Sequence, residues 1–482
     1  MQRDDYTALD GLAMAAMLDN KQTTSAELMS CAIAQAKVWG PALNALRYER
    51  YEESQALASA WQPTGVFRGI PFLLKDSSMA SKRFPSSFGS KLFTDISAGY
   101  NGTVVDRFDA AGLISFARTT VSELCMGPST EALNNQGPTL NPRHASLSVG
   151  GSSGGAAAAV AARIVPIAHG SDGGGSIRIP AACCGVYGLK PSRGRVPIGP
   201  ARGEGWGGMA SDGVLSMTVR DTAAAMDAIS GYEAGAPYAA PPKNGSYLDA
   251  IKVGFTKPLK IGIWRAGWNG IGIVPECLEA LENTAQLCRD LGHEVIDIAL
   301  AEIDYDAYVR AHGTVLATNI VLSVDARAKA LGRAWREDDL EEVIRDGYEV
   351  GKTLGAGQYV EAINRFHATG RAIEQAMVGV DLILTPTLTT LPARKGELAL
   401  QGKFWDFRFK VARYATFLAV INGSGQPAAS LPLHWTAEGI PVATQLIGHF
   451  GREDQILALS AQLEQAAPWA QRAPVLPASL PM

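Results

Sequence analysis

The chain is 482 residues long, 47% hydrophobic and 19% charged, with a formal net charge of −4. That length and balance suit a globular protein with a sizeable core. The small net charge argues against nucleic acid as a partner, and the lack of any run of about 18 uninterrupted apolar residues argues against a membrane-spanning helix.

The N-terminal stretch MQRDDYTALDGLAMAAMLDNK carries acids and only a short apolar run. It lacks the basic region and long apolar core of a secretory leader, which predicts a cytoplasmic protein. Residues 8–18 have apolar side chains at helical spacing. TSAE (24–27) is a capping-box pattern that leads into a second helix through about residue 38. GIPFLLKD (69–76) predicts a short buried strand ending in a charged pair. Residues 103–110 read as a helix and 112–117 as a strand. The alanine run 156–162 is a strong helix former, and the β-branched segment 164–168 predicts a strand. A helix is expected over 218–229. The Pro-, Ala- and Gly-rich segment 235–246 predicts a long surface loop.

Further along, 260–264 reads as a strand, 275–291 as a helix and 293–298 as a strand. Residues 305–378 are mostly helical in pattern. The apolar run 381–386 predicts a buried strand stopped by proline, followed by short strands at 427–433 and 442–447 and a closing helix at 454–465. Strands and helices alternate throughout. This predicts an α/β fold, a large and mostly mixed β-sheet covered by helices on both faces. No repeat and no domain boundary interrupts it, so residues 1–482 are expected to form a single domain.

Six cysteines, Cys31, Cys125, Cys183, Cys184, Cys277 and Cys288, form no C-x-x-C, and no His/Cys group has zinc-ligand spacing. Reduced, mostly buried thiols and no metal are expected.

Two serine–glycine clusters stand out, GGSSGG (150–155) and SDGGGS (171–176). Three glycines in the second let the backbone turn tightly and aim its N–H groups into one space. Such a nest suits an oxyanion or a phosphate. Ser176 ends it, where a nucleophile would stand. The phosphate reading is the weaker one, because the chain has no G-x-x-x-x-G-K-[ST] and these glycines lack G-x-G-x-x-G spacing at a strand–helix junction. A plain glycine turn fits the same residues.

A nucleophilic serine needs a base. His169 is close in sequence but lies beside a predicted apolar strand, where a satisfied core histidine is expected. GSSGG (151–155) fits G-x-S-x-G, which would make Ser153 a nucleophile. That elbow needs a strand before it, and residues 141–148 read as loop. Lys75 follows an apolar strand, where burial would lower its pKa and supply a neutral amine. A surface pair with Asp76 explains the same position, and both readings stand.

Taken together, GGSSGGAAAAVAA and GSDGGGSIRIPAACCGVYGLKPSRGRVP closely resemble the amidase signature family of serine amidohydrolases. GIPFLLKDS (69–77), SELCMGPSTEALNNQGPTLNP (122–142) and INGSGQPAASLPL (421–433) follow in the family's order, and the resemblance runs from about residue 8 to 475. It implies the amidase signature fold, with a core motif at 69–200 and a helical substrate-side region at about 300–380. It also implies a Ser–cisSer–Lys triad: Ser176 as nucleophile, Ser152 as bridging serine after a cis bond, and Lys75 as base. The N–H groups of Gly173, Gly174, Gly175 and Ser176 would hold the oxyanion. Asp172, Arg178 and Ser153 would support the loop. No cofactor and no metal are implied. One departure is Gly173, where the family often carries a side chain, and its absence predicts a wider or looser site.

The family alone does not name the substrate. Lys75-Asp76-Ser77 departs from the Lys-Asp-Asn common in glutamine amidotransferase-type subunits, which remain one alternative beside a non-catalytic amidase-like scaffold. GREDQILALSAQLEQAAPW and AHGSDGGGSIRIPA are most similar to the branch of aminohexanoate cyclic-dimer hydrolases and broad-range amidases. The expectation is hydrolysis of an uncharged, fairly hydrophobic small amide, anilide, cyclic amide or carbamate. The partners are then substrate and water, and a homodimer is compatible with the sequence. Met126, Gly127 and Trp206 are expected to line the pocket, with the 305–320 helix as another wall.

Overall fold

The computed structural model describes residues 1–134 and 136–472. The last residues of the family resemblance, 473–475, lie outside the described residues. Eight strands form one mixed sheet. From one edge to the other they are Glu294–Asp297, Lys260–Ile263, Leu382–Pro386, Pro441–Gly448, Ala428–Trp435, Tyr187–Lys190, Ser211–Ser216 and Ile167–Asp172. The first three pair in parallel, and the rest pair antiparallel. Adjacent residues of a strand point to opposite faces. On Pro441–Gly448, Thr444 reaches Thr284 of the helix Pro275–Asp290, while Gln445 reaches Arg178 of the helix Arg178–Cys184. Helices therefore cover both faces, as expected.

The strand that carries Lys75 is not part of this sheet. Ile70–Lys75 pairs in parallel with Leu113–Thr119, which pairs in turn with Leu46–Arg47, to make a separate three-stranded sheet. All six residues of Ile70–Lys75 are buried, so the apolar run predicted the strand but not its partners. Between the serine clusters, the helix Gly154–Ala161 is buried along its whole length, which its small side chains permit.

The strand expected at 164–168 is displaced to Ile167–Asp172. Its ladder with Ser211–Ser216 decides the end, since that partner also pairs with the polar Ser171 and Asp172. Tyr187–Lys190, Ser211–Ser216, Arg178–Cys184, Phe404–Tyr414 and Thr416–Ser424 were not singled out by periodicity. The first three are short or interrupted by glycine or proline. Pro180 is tolerated because it lies in the first turn of its helix, where the missing N–H has no intrahelical partner. Residues 235–246 contain no helix or strand and are largely exposed. The region at 305–378 resolves into Tyr305–Leu331, Glu342–Lys352 and Ala356–Ala376. Among the described residues no helix is long and apolar enough to cross a membrane, no His/Cys/Asp/Glu group is placed to hold a metal ion, and all six cysteines are free.

Candidate active site

Lys75 is fully buried at the end of its strand. Its backbone is held from both sides. The N–H donates to His169 Nδ1 at 3.2 Å, and the carbonyl accepts from Arg118 Nη1 at 2.7 Å. Because Nδ1 accepts, the His169 proton is on Nε2, which donates to Asp212 Oδ1 at 3.1 Å. Burial keeps this imidazole below its usual pKa, although Asp212 opposes the shift. His169 is thus a neutral core histidine that positions Lys75. Asp76 is engaged elsewhere, accepting from Ser87 N at 2.9 Å and Ser87 Oγ at 2.6 Å, so the surface-pair reading of Lys75 is set aside.

The amine end of Lys75 reaches across to both serine clusters. Nζ lies 2.8 Å from Ser152 Oγ, 2.9 Å from Ser171 Oγ and 3.2 Å from the Ser171 carbonyl. No carboxylate pairs with it among the described residues. Burial pushes its pKa below the usual lysine range; Cys125, Asp212 and Asp172 oppose that shift. The peptide bond before Ser152 is cis.

The serine clusters are tied to each other by Ser153. Its N–H donates to the Ser176 carbonyl at 3.2 Å, and its Oγ donates to the Ser171 carbonyl at 3.2 Å. Ser153 is fully buried, which leaves the elbow-nucleophile reading without an exposed hydroxyl. Asp172 holds the glycine loop in shape. Oδ1 accepts from Gly175 N at 2.7 Å, and Oδ2 accepts from Ile177 N at 3.1 Å. Arg178 meets the same carboxylate through Nε and Nη2, both at 3.0 Å. Burial alone would raise the Asp172 carboxyl, but Arg178 holds it well below the usual carboxylate range. Removing one partner of such a buried pair costs about 3–5 kcal/mol, because the other charge is left uncompensated.

Two further supports were not singled out beforehand. Asn422 donates to the Asp172 carbonyl and to Asp172 Oδ1, each at 2.9 Å, and Gln445 Oε1 accepts from Arg178 Nη1 at 2.8 Å. Asn422 belongs to the INGSG stretch, so the motif was visible but the contact was not.

Gly175 needs correction. Its N–H, expected among the oxyanion donors, is committed to Asp172. The N–H groups of Gly173, Gly174 and Ser176 take no acceptor among the described residues. Gly175 also has φ +119°, a conformation that a side chain rarely adopts.

Ser176 opens into a narrow cavity of about 50 Å³. Met126, Gly127 and Trp206 line it, and so do Tyr308, Val309 and His312 from one face of Tyr305–Leu331. The opposite wall comes from Phe404–Tyr414 and Thr416–Ser424, which the sequence reading did not include. Cys125 also lines it, with its thiol pushed up by burial and therefore neutral.

Gly173 does not loosen the site. A Cβ there would stand 2.5 and 2.6 Å from Trp206 Cε3 and Cζ3, so the indole occupies the space a side chain would take. Gly173→Ala is expected to displace Trp206 and the loop, lowering kcat/KM roughly tenfold through misplacement of the reacting groups. Adding Trp206→Ala should recover part of that loss. Equal losses with and without Trp206 would show that the two residues are not coupled.

A buried lysine on a serine, a glycine loop with free N–H groups and an apolar cavity stand together in a hydrolase that acts on carbon–nitrogen bonds. The chain belongs to the amidase signature family, since the Amidase family model matches residues 27–457. It is 33% identical over 486 residues to the 6-aminohexanoate-cyclic-dimer hydrolase of Paenarthrobacter ureafaciens, covering 97% of this chain and 96% of that one. A solved structure of 6-aminohexanoate cyclic dimer hydrolase superposes with a TM-score of 0.91 at 31% identity, over 98% of this chain and 99% of that one. A bacterial aryl acylamidase superposes with a TM-score of 0.87 at 26% identity, over 98% and 99% of the two chains.

Proposed function

We propose that this amidase works through Lys75, Ser152 and Ser176 on a small, uncharged amide with a slender apolar body, such as an anilide, a cyclic amide or a carbamate. The observation that carries the reading is the 2.8 Å contact between buried Lys75 Nζ and Ser152 Oγ. Neutral Lys75 accepts the Ser152 proton while Ser152 accepts the Ser176 proton. Ser176 Oγ then attacks the amide carbon. The N–H groups of Gly173, Gly174 and Ser176 stabilise the oxyanion. The proton returns through Ser152 to the leaving nitrogen, the carbon–nitrogen bond breaks and an acyl-enzyme remains. Water enters by the same relay and releases the acid.

Among the described residues no hydrogen bond links Ser152 Oγ to Ser176 Oγ. Catalytic hydrogen bonds commonly tighten only when substrate is bound. The narrow cavity favours slender substrates over branched ones. Six free thiols, four of them buried, support a reducing, cytoplasmic setting.

A fluorophosphonate probe should form one adduct, on Ser176, read by peptide mass spectrometry. A screen across anilides, aliphatic amides, cyclic amides, esters and carbamates should find hydrolysis. An adduct on a different serine, or no turnover of any amide, would overturn the reading.

A further inference from the structure

The cavity beside Ser176 is apolar apart from a few groups, and two of these, Arg408 and His312, are incompletely paired. Arg408 is 5% exposed. Its only hydrogen bond among the described residues runs from Nη2 to the Met126 carbonyl at 2.8 Å. Nε is buried and has no partner. The rings of Phe404 and Phe407 flank the guanidinium at 5.7 and 4.8 Å, and no carboxylate pairs with it among the described residues. A guanidinium stays charged in a protein. Supporting the Met126 carbonyl uses one of its five N–H donors and leaves the charge uncompensated.

His312 stands on the facing wall. Its Nε2 is buried without a partner. It also sits against the glycine loop, where a Cβ at Gly174 would lie 3.2 Å from Nε2. Burial and the nearby Arg408 charge push its pKa down to about 3, against an opposing contact with the Gly173 backbone, so the ring is neutral. Buried polar atoms in native proteins are almost always bonded. A guanidinium without a counter-charge and a neutral imidazole that line one cavity point to an acceptor that enters it.

We propose that Arg408 and His312 form an acceptor subsite, which binds an oxygen of the substrate other than its scissile carbonyl. The inference rests on Ser176 being the nucleophile of this cavity. The oxygen is that of a neutral carbonyl, in keeping with an uncharged substrate; a carboxylate offers lone pairs to the same donors and is the alternative the test separates. The subsite makes the enzyme selective within an otherwise apolar pocket, because a substrate without the oxygen leaves the Arg408 charge with no acceptor beyond the Met126 carbonyl.

The test uses matched linear N-acyl anilides, across a series of chain lengths, that end in a methyl, a primary carboxamide or a carboxylate. In the wild-type enzyme at least one oxygen-bearing ending should raise kcat/KM by about tenfold or more over the methyl ending. Whether the carboxamide or the carboxylate gains more distinguishes the neutral from the anionic acceptor. The gain should fall severalfold in Arg408→Met or in His312→Phe. No gain in the wild type, or a gain that survives in both variants, overturns the proposal. Turnover of the methyl-ended anilide by the wild type keeps the amidase reading standing whichever way the ratios fall.

Discussion

Ser176→Ala is expected to lower kcat by about a thousandfold or more while leaving the fold intact. The hydroxyl oxygen makes no hydrogen bond among the described residues, so its removal orphans nothing. The backbone tie from Ser153 N to the Ser176 carbonyl is unaffected by the substitution. Stability should therefore stay within about 0.5 kcal/mol of wild type. Initial rates on a reporter anilide, with thermal melting as the fold control, separate the two effects. Activity within tenfold of wild type in a correctly folded variant would remove Ser176 from the mechanism.

For Lys75→Ala, the expected loss in kcat/KM is about 10²–10⁴-fold, the usual worth of a positioned general base. The pH profile carries more information than the loss itself. In the proposed mechanism the active form is the neutral amine, and burial lowers the Lys75 pKa. Below that lowered pKa each unit of pH removes about nine-tenths of the neutral form, so log kcat/KM rises with unit slope and then levels off. Lys75→Ala should lose this rising limb. A limb that persists unchanged assigns the base elsewhere.

The same shift has a stability consequence of definite sign. Between the lowered folded pKa and the unfolded lysine value of about 10.4, the unfolded chain binds more protons, so wild-type stability increases with pH across that window. Below the folded pKa both states are protonated and the slope vanishes. Denaturant titrations of the wild type and of Lys75→Ala across that window should differ in slope accordingly.

How much of this site was legible in the sequence varies by residue. Ser152, Ser176 and the glycine loop were visible because they cluster within one short stretch, and Lys75 because an apolar strand ends on it. The buried setting of Lys75 was not, since an exposed pair with Asp76 fitted the same pattern. Only the contacts to Ser152, Ser171, His169 and Arg118 decide between them. The proposed oxyanion donors divide in the same way. Four N–H groups stood at the right place in sequence, and the hydrogen bond to Asp172 removes Gly175 from the set. Gly173 looked like a loosened position, because sequence spacing carries no trace of Trp206 against it.

By itself, the sequence determined the alternation of strands and helices, the serine–glycine chemistry and the family. These are local properties, set by side-chain period, glycine content and a contiguous motif. Only the tertiary structure decided that the Lys75 strand belongs to its own small sheet, that Asn422 and Gln445 hold the Asp172–Arg178 pair, and that Arg408 faces the cavity without a counter-charge. Each of these depends on residues far apart in the chain, whose pairing is set by packing and desolvation rather than by their neighbours in sequence.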